Sequence, residues 1–260
     1  MRRIALALAV AGCAIAPAMA QDKQVNLKVS LWVPTAHPLY PSTKAWTESM
    51  EKASNGTIKA TLFPAEQLGK AFDHYDMARD GIADVTYINP GYQPGRFPVI
   101  AVGQIPFTFA DAGKGTAALD QWYRKYAPAE MKDTKFCFAF MHDPGSLHSR
   151  KKVTVPGDIK GMKIRPSHST TAELVTMLGG TNVQASAPEA RDMLERGVAD
   201  AIFFPWGSMF LFGVEKHIKC SIDGPLYTTM FTYNINRRTY DNMSAAQKKV
   251  IDDHCTTNGR

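Results

Sequence analysis

Beyond residue 20 no segment approaches the ~20 consecutive apolar residues that a bilayer-spanning helix needs, so the body of the chain is not expected to cross a membrane. Charge of one sign is also scarce. The 260 residues carry 30 Lys and Arg against 24 Asp and Glu, and setting aside Arg2 and Arg3 leaves 28 basic residues dispersed along the chain. That pattern gives no argument for a nucleic-acid partner. The longest basic cluster, Arg150-Lys151-Lys152, precedes Val153-Thr154-Val155-Pro156 and reads as a solvated turn.

Cysteine is sparse as well, with four residues, no CxxC pair and no Cys/His spacing suited to structural zinc, so no metal is expected. No GxSxG elbow, HExxH pair or P-loop is present, which removes the usual short signatures of hydrolases and nucleotide-binding enzymes. No cofactor is implied. What remains is an ordinary globular composition, 45% hydrophobic and 21% charged, with enough core for one or two domains.

The first twenty residues give an address. Arg2 and Arg3 precede an apolar stretch over 4–16, and Ala18-Met19-Ala20 is a small-residue cleavage pattern, so the chain reads as exported, cleaved after Ala20 and soluble outside the cytoplasm. Val10-Ala11-Gly12-Cys13 resembles a lipid-attachment box, but the residues after Cys13 stay apolar where a tethered protein would carry a polar linker. Cleavage leaves Cys137, Cys220 and Cys255 in a compartment where disulfides persist. Cys137 sits inside the apolar run Phe136-Cys137-Phe138-Ala139-Phe140, which looks like a buried strand. The expected pair is therefore Cys220 with Cys255.

Strand-like and helix-like segments alternate, the pattern of an α/β fold. Strands are predicted over 27–33, 57–63, 85–88, 136–141, 163–165 and 201–204, and helices over 42–53, 72–80, 111–126 and 170–178. A further helix is predicted from Ser186 as N-cap, through Pro188 and Glu189, to Glu195 before Gly197. No repeat or low-complexity linker appears, so a two-lobed molecule would have to be built by the chain crossing between lobes.

Gly161-Met162-Lys163-Ile164-Arg165 reads as a short strand ended by Pro166, with arginine at its tip. The guanidinium is planar, always charged and presents paired donors that match the two oxygens of a carboxylate, so one arginine in a cleft selects organic acids. The plainer reading, an exposed and solvated arginine, fits the same five residues.

Longer motifs narrow the choice. The ordered set Phe63-Pro64-Ala65-Glu66-Gln67-Leu68-Gly69, Gly81-Ile82-Ala83-Asp84, Ile105-Pro106-Phe107, Asp158 to Arg165, Glu195-Arg196-Gly197-Val198-Ala199-Asp200 and Pro205 resembles the solute-binding proteins of tripartite ATP-independent periplasmic (TRAP) transporters, the DctP-like family. The resemblance covers essentially the whole mature chain. It implies a two-lobed periplasmic binding protein of type II-like architecture, with lobes over 21–142 plus 231–260 and over 143–230. Such a protein holds a small organic acid in the cleft between its lobes and hands it to TRAP permease subunits, as a monomer without enzymatic activity.

By the same resemblance Arg165 holds the ligand carboxylate from a side chain pointing into an open cleft. Asn89, Tyr92, Phe204, Trp206, Trp32 and His37 stand around it. For the aromatic residues among these, packing in the core is the competing reading.

Departures from the family pattern bear on the ligand. Members that bind sialic acid carry a second arginine where this chain has Gly145, a polar residue where it has Phe203-Phe204, and a bulky aromatic where it has Ala187. One retained arginine against an aromatic wall suits a monocarboxylate with an apolar or aromatic body, such as a 2-oxo acid or an aryl acid. Members also continue well past the position of Ile251-Asp252-Asp253-His254 with C-terminal helices, so those helices are expected to be truncated here. Two rival readings stand beside this one. The first is a secreted hydrolase assembling a spatial His/acid site from some of the seven histidines. The second is a binding subunit of a sensor or another transporter type.

Overall fold

The computed structural model describes residues 22–257; the leader segment and its cleavage site lie outside the described residues. Ten strands run in chain order: β1 (Val25–Ser30), β2 (Ile58–Phe63), β3 (Val85–Ile88), β4 (Thr134–Met141), β5 (Gly145–Ser149), β6 (Lys163–Arg165), β7 (Thr181–Asn182), β8 (Ala201–Pro205), β9 (Cys220–Ser221) and β10 (Met230–Asn236). They form two five-stranded sheets, ordered β2-β1-β3-β10-β4 and β7-β6-β8-β5-β9.

The chain completes most of the first sheet, crosses once, builds all of the second, and returns to insert β10 antiparallel between β3 and β4. This is the two-lobed α/β architecture. The crossing strands are tied to each other, with His142 N–H donating to Thr229 O at 3.0 Å and Gly145 N–H to Tyr227 O at 2.8 Å. A Cβ at position 145 would stand 2.5 Å from the Tyr227 ring, so no side chain fits there without moving Tyr227. The position at which the resemblance implies arginine in sialate-binding members is sterically closed in this chain.

Sheet position explains the sequence patterns. Strand β1 sits one place in from an edge and alternates, burying Leu27 and Val29, whereas all four residues of β3 and all seven of β10 are buried because helices and loops cover both faces. On one face of the first sheet Tyr87, Phe138, Phe140, Phe231 and Tyr233 pack ring on ring with centroids 5.0 to 6.1 Å apart. Trp32 stacks on Tyr87 at 4.8 Å and carries this aromatic layer toward the second sheet. One buried apolar cluster continues through, joining Trp32, Tyr87 and Phe231 to Ile202, Phe204 and Val214.

The predicted elements are present with shifted ends. The helix predicted over 42–53 starts at Leu39, and that predicted over 111–126 spans Ala112–Tyr123 with Asp111 capping Lys114 N–H. Ser186 does not cap a helix: it bonds the Glu189 carboxylate through both its N–H and its hydroxyl, and the helix begins at Ala190. Strand β10 and the C-terminal helix Ala245–His254, capped by Ser244, were not anticipated.

The expected disulfide is corrected. Cys137 on β4 is bonded to Cys255 at the end of the C-terminal helix, with Cα atoms 4.5 Å apart, and Cys220 is free on β9 of the other sheet. Burial of Cys137 does not isolate it, because the helix carrying Cys255 packs onto the same face of β4. Two further contacts hold this end of the chain: Trp46 Nε1–H donates to His254 O at 3.0 Å and Arg124 Nη2–H to Cys255 O at 2.8 Å.

Two imidazoles are locked in the interior. His74 donates from Nδ1 to Tyr87 O at 2.9 Å, and His168 donates from Nε2 to Thr228 O at 3.0 Å. Burial pushes His74 down to about 4 and His168 down to about 3. The unfolded chain therefore binds more protons than the folded one below about pH 6.5. Stability should be full above that pH and fall as pH drops toward 4 and 3, by up to about 1.4 kcal/mol per pH unit for each imidazole. Urea unfolding between pH 4 and 8 measures this, and a flat profile would show that these rings are not neutral in the folded protein. For the disulfide, non-reducing peptide mapping should recover Cys137 linked to Cys255 with Cys220 alkylated. Cys255→Ser should cost about 2–5 kcal/mol of stability.

Candidate functional site

Arg165 is the last residue of β6, in parallel register with Ile202 on β8, and Pro166 releases the chain from the sheet. Its side chain is 1% exposed. Nε donates to Ala185 O at 2.9 Å, Nη1 to Phe203 O at 3.2 Å and Nη2 to the Tyr92 hydroxyl at 3.1 Å, while the guanidinium carbon lies 5.2 Å from the Phe204 ring centroid. The expectation of a side chain free in an open cleft is thus corrected: the guanidinium is enclosed, because the two sheets are drawn together over it.

A guanidinium has five N–H donors. Each of its three nitrogens uses one here, which leaves one N–H on Nη1 and one on Nη2, a donor for each oxygen of a carboxylate. Among the described residues no carboxylate lies within ion-pair distance of Arg165.

Tyr92 is the counterpart from the first sheet. Asn89 accepts from Gly91 N–H at 3.0 Å and so opens the turn Pro90–Tyr92 directly after β3, which delivers the Tyr92 ring to the space between the sheets. The hydroxyl accepts two hydrogen bonds from the opposite side, from Arg165 Nη2 and from Ala187 N–H at 2.9 Å. Asn89 adds a third link by donating to Ser167 O at 3.3 Å. At Gly91 a Cβ would stand 2.3 Å from the His168 Cβ, so this approach of turn to helix requires glycine.

In this conformation these residues close on a cavity of about 30 Å³, so a ligand larger than a water enters only when the sheets part. Six of the seven predicted site residues line it: Trp32, His37, Asn89, Tyr92, Arg165 and Phe204. Trp206 does not. It heads the helix Trp206–Leu211, is 46% exposed and packs edge-on against His148 at 4.7 Å. Residues not anticipated from the sequence complete the wall, notably Tyr87 and Phe231 on adjacent strands, Phe212, and the polar residues His142, Ser167 and Ser208. The alternation of Phe231, Tyr233 and Ile235 was the available signal for a strand there.

The cavity holds two histidines and no acid. His37 Nδ1 accepts from Leu39 N–H at 3.2 Å, which puts the ring proton on Nε2; burial, with His142 beside it, pushes His37 down to about 4. His142 Nδ1 donates to Asp143 O at 3.0 Å, so its Nε2 accepts from the Ser208 hydroxyl at 3.2 Å. Burial also lowers His142. Both rings are neutral at physiological pH, and Arg165 is the one lining group that carries charge. The Ser208 and His142 pair lacks the carboxylate that would orient a nucleophile's base, and a depressed imidazole is a weak base, so the geometry does not favour hydrolysis. Among the described residues no cluster suits a metal ion.

Comparison with known proteins identifies the family. The family model described as bacterial extracellular solute-binding protein, family 7 (DctP), matches residues 29–260. The chain is similar to a marine-metagenome TRAP solute-binding protein specific for aromatic acid ligands, solved with 3-hydroxybenzoate, at 33% identity and a TM-score of 0.83 over 89% of this chain and 75% of that one. A TRAP solute-binding protein from Rhodoferax ferrireducens, solved with benzoate, gives 29% identity and a TM-score of 0.83 over 88% and 74%. Among curated relatives, the 2,3-diketo-L-gulonate-binding periplasmic protein YiaO of Escherichia coli is 24% identical over 96% of this chain and 77% of its own length. The chain belongs to family 7 of the bacterial extracellular solute-binding proteins, the DctP family of solute receptors.

Proposed function

We propose that this receptor binds a small monocarboxylate with an aromatic body, holds its carboxylate on Arg165, and delivers it to the membrane subunits of a TRAP-type secondary transporter. The observation that carries the reading is the state of Arg165: a buried cation with one donor left on each terminal nitrogen, facing a cavity with no acid and with walls of Trp32, Phe204, Phe212 and Phe231. A buried charge without a counter-ion is costly, so the cavity favours an anion. The aromatic walls favour a flat apolar body over a sugar acid, and the closed position at Gly145 removes the place of a second arginine. The similar proteins solved with 3-hydroxybenzoate and benzoate support an aryl acid over a 2-oxo acid. Trp32 Nε1–H, buried and without a protein partner, is a further donor on a wall residue.

In this reading the lobes are residues 21–142 plus 231–260 and residues 143–230, the receptor works as a monomer, and export removes the leader after Ala20. Opening about the crossing strands exposes Arg165. Closure brings Tyr92 back onto Arg165 and Ala187, so a ligand that completes the Arg165 donor set favours the closed form, and the permease reads occupancy as shape.

Calorimetric titration with benzoate, mandelate and a 2-oxo acid tests the clamp. Arg165→Lys keeps the charge but loses the fork, and should weaken the best ligand roughly ten- to a hundredfold. Arg165→Ala should weaken it further. It should also lower stability, since Ala185 O loses a buried donor at about 1–3 kcal/mol, whereas Phe203 O keeps the Ser167 hydroxyl. A folded Arg165→Ala protein that binds as tightly as wild type would place the clamp elsewhere.

Tyr92→Phe tests the latch separately. The ring and its contact with Phe72 at 4.7 Å are kept, while two hydrogen bonds between the lobes are lost. The closed form should be less populated, and ligand dissociation about tenfold faster in stopped flow. An unchanged dissociation rate would remove Tyr92 from the closing mechanism.

A further inference from the structure

The ring contacts around the cavity separate two polar ends. Arg165 lies over Phe204, Phe204 packs on Phe212 at 5.6 Å, and Phe212 packs on His37 at 5.9 Å. On the other side His142 lies 5.9 Å from Phe231, and Phe231 lies 6.1 Å from Trp32, which reaches back to Tyr92 at 6.2 Å. His37, His142 and Ser208 line the same cavity as the guanidinium, with Phe204 and Phe212 in the chain of contacts between Arg165 and His37.

Their bonding state fixes what they can recognise. His37 Nδ1 is occupied by Leu39 N–H, so Nε2–H is a donor with no partner among the described residues. Both nitrogens of His142 are used, by Asp143 O and by the Ser208 hydroxyl. Ser208 spends its proton on His142 and keeps oxygen lone pairs to accept with. The far end thus offers one donor and one acceptor and no charge.

We propose that His37 and Ser208, with His142 orienting the serine, form a second recognition pole that reads a hydroxyl group on the ligand, so that the preferred ligand is a hydroxylated aromatic monocarboxylate. This rests on the reading of Arg165 as carboxylate clamp. A hydroxyl both accepts from His37 Nε2–H and donates to Ser208 Oγ, satisfying the two together. An unsubstituted ring leaves His37 Nε2–H without an acceptor while Ser208 keeps its bond to His142, and a buried donor left unpaired is the condition under which polar sites discriminate most strongly. A second carboxylate would meet no cation there, because both imidazoles are held neutral by burial.

The test is calorimetric titration of the mature protein with benzoate, 3-hydroxybenzoate, 4-hydroxybenzoate and benzene-1,3-dicarboxylate, repeated on Ser208→Ala and His37→Phe. In wild type at least one hydroxybenzoate should bind about tenfold or more tighter than benzoate, and the dicarboxylate should bind weaker than benzoate. In each variant the ratio of hydroxybenzoate to benzoate affinity should collapse toward one. As an independent readout, the nitrogen-15 shift of His37 Nε2 should move with the favoured hydroxybenzoate and not with benzoate. Equal binding of benzoate and both hydroxybenzoates, or a preference that survives in both variants, overturns the second pole and leaves the Arg165 clamp standing. If none of the four acids binds, the clamp and the second pole fall together.

Discussion

A cation enclosed between two sheets without an anion of its own is the constraint around which this molecule is arranged. Desolvating a guanidinium costs several kcal/mol unless its donors are satisfied, and Arg165 meets three partners from three segments: the loop carbonyl of Ala185, the strand carbonyl of Phe203 and the phenol of Tyr92. Only the last comes from the other sheet. The arrangement is therefore complete on the side that holds the arginine and conditional on the side that closes over it, which is the property a two-lobed receptor needs.

That conditional contact depends on connections made far from it. The sheets are joined by two adjacent crossing segments, paired through His142 with Thr229 and Gly145 with Tyr227. The return strand β10 lies between β3 and β4, so the crossing segment runs directly into the neighbour of the strand whose end carries Asn89 and Tyr92. The first sheet is kept rigid by its aromatic face and by the Cys137 to Cys255 link across 118 residues, which fastens the C-terminal helix to β4. In this conformation the two sheets also share one continuous buried apolar cluster, so the opening proposed above would part those contacts as well as the Tyr92 bonds.

Much of the fold was legible because its signals are local. Alternation in Leu27 and Val29, the buried run 85–88, and the strand-breaking Pro166 all act within a few residues, and each appears where the sequence put it. Strand β10 was harder to see: buried on both faces, Met230–Asn236 mixes Thr and Asn with aromatics, and those polar groups are tolerated only because neighbouring strands and loops receive some of them, as Thr134 receives Asn234. The disulfide was misassigned for a related reason. Pairing depends on which helix lands on which strand face, and an apolar run around Cys137 says only that the residue is buried.

The sequence by itself determined the α/β alternation, the arginine at a strand tip and, through the order of its motifs, the family; these depend on residue type and spacing along the chain. Tertiary structure alone decided that Arg165 is enclosed, that Trp206 faces away while Tyr87, Phe231 and Ser208 face in, that position 145 admits no side chain, and that His37 and His142 are neutral with assigned protons. Each of those is set by atoms brought within a few ångströms from distant segments, as between Tyr92 and Ala187, 95 residues apart. Burial and hydrogen-bond direction are properties of that assembled environment, which spacing along one chain does not encode.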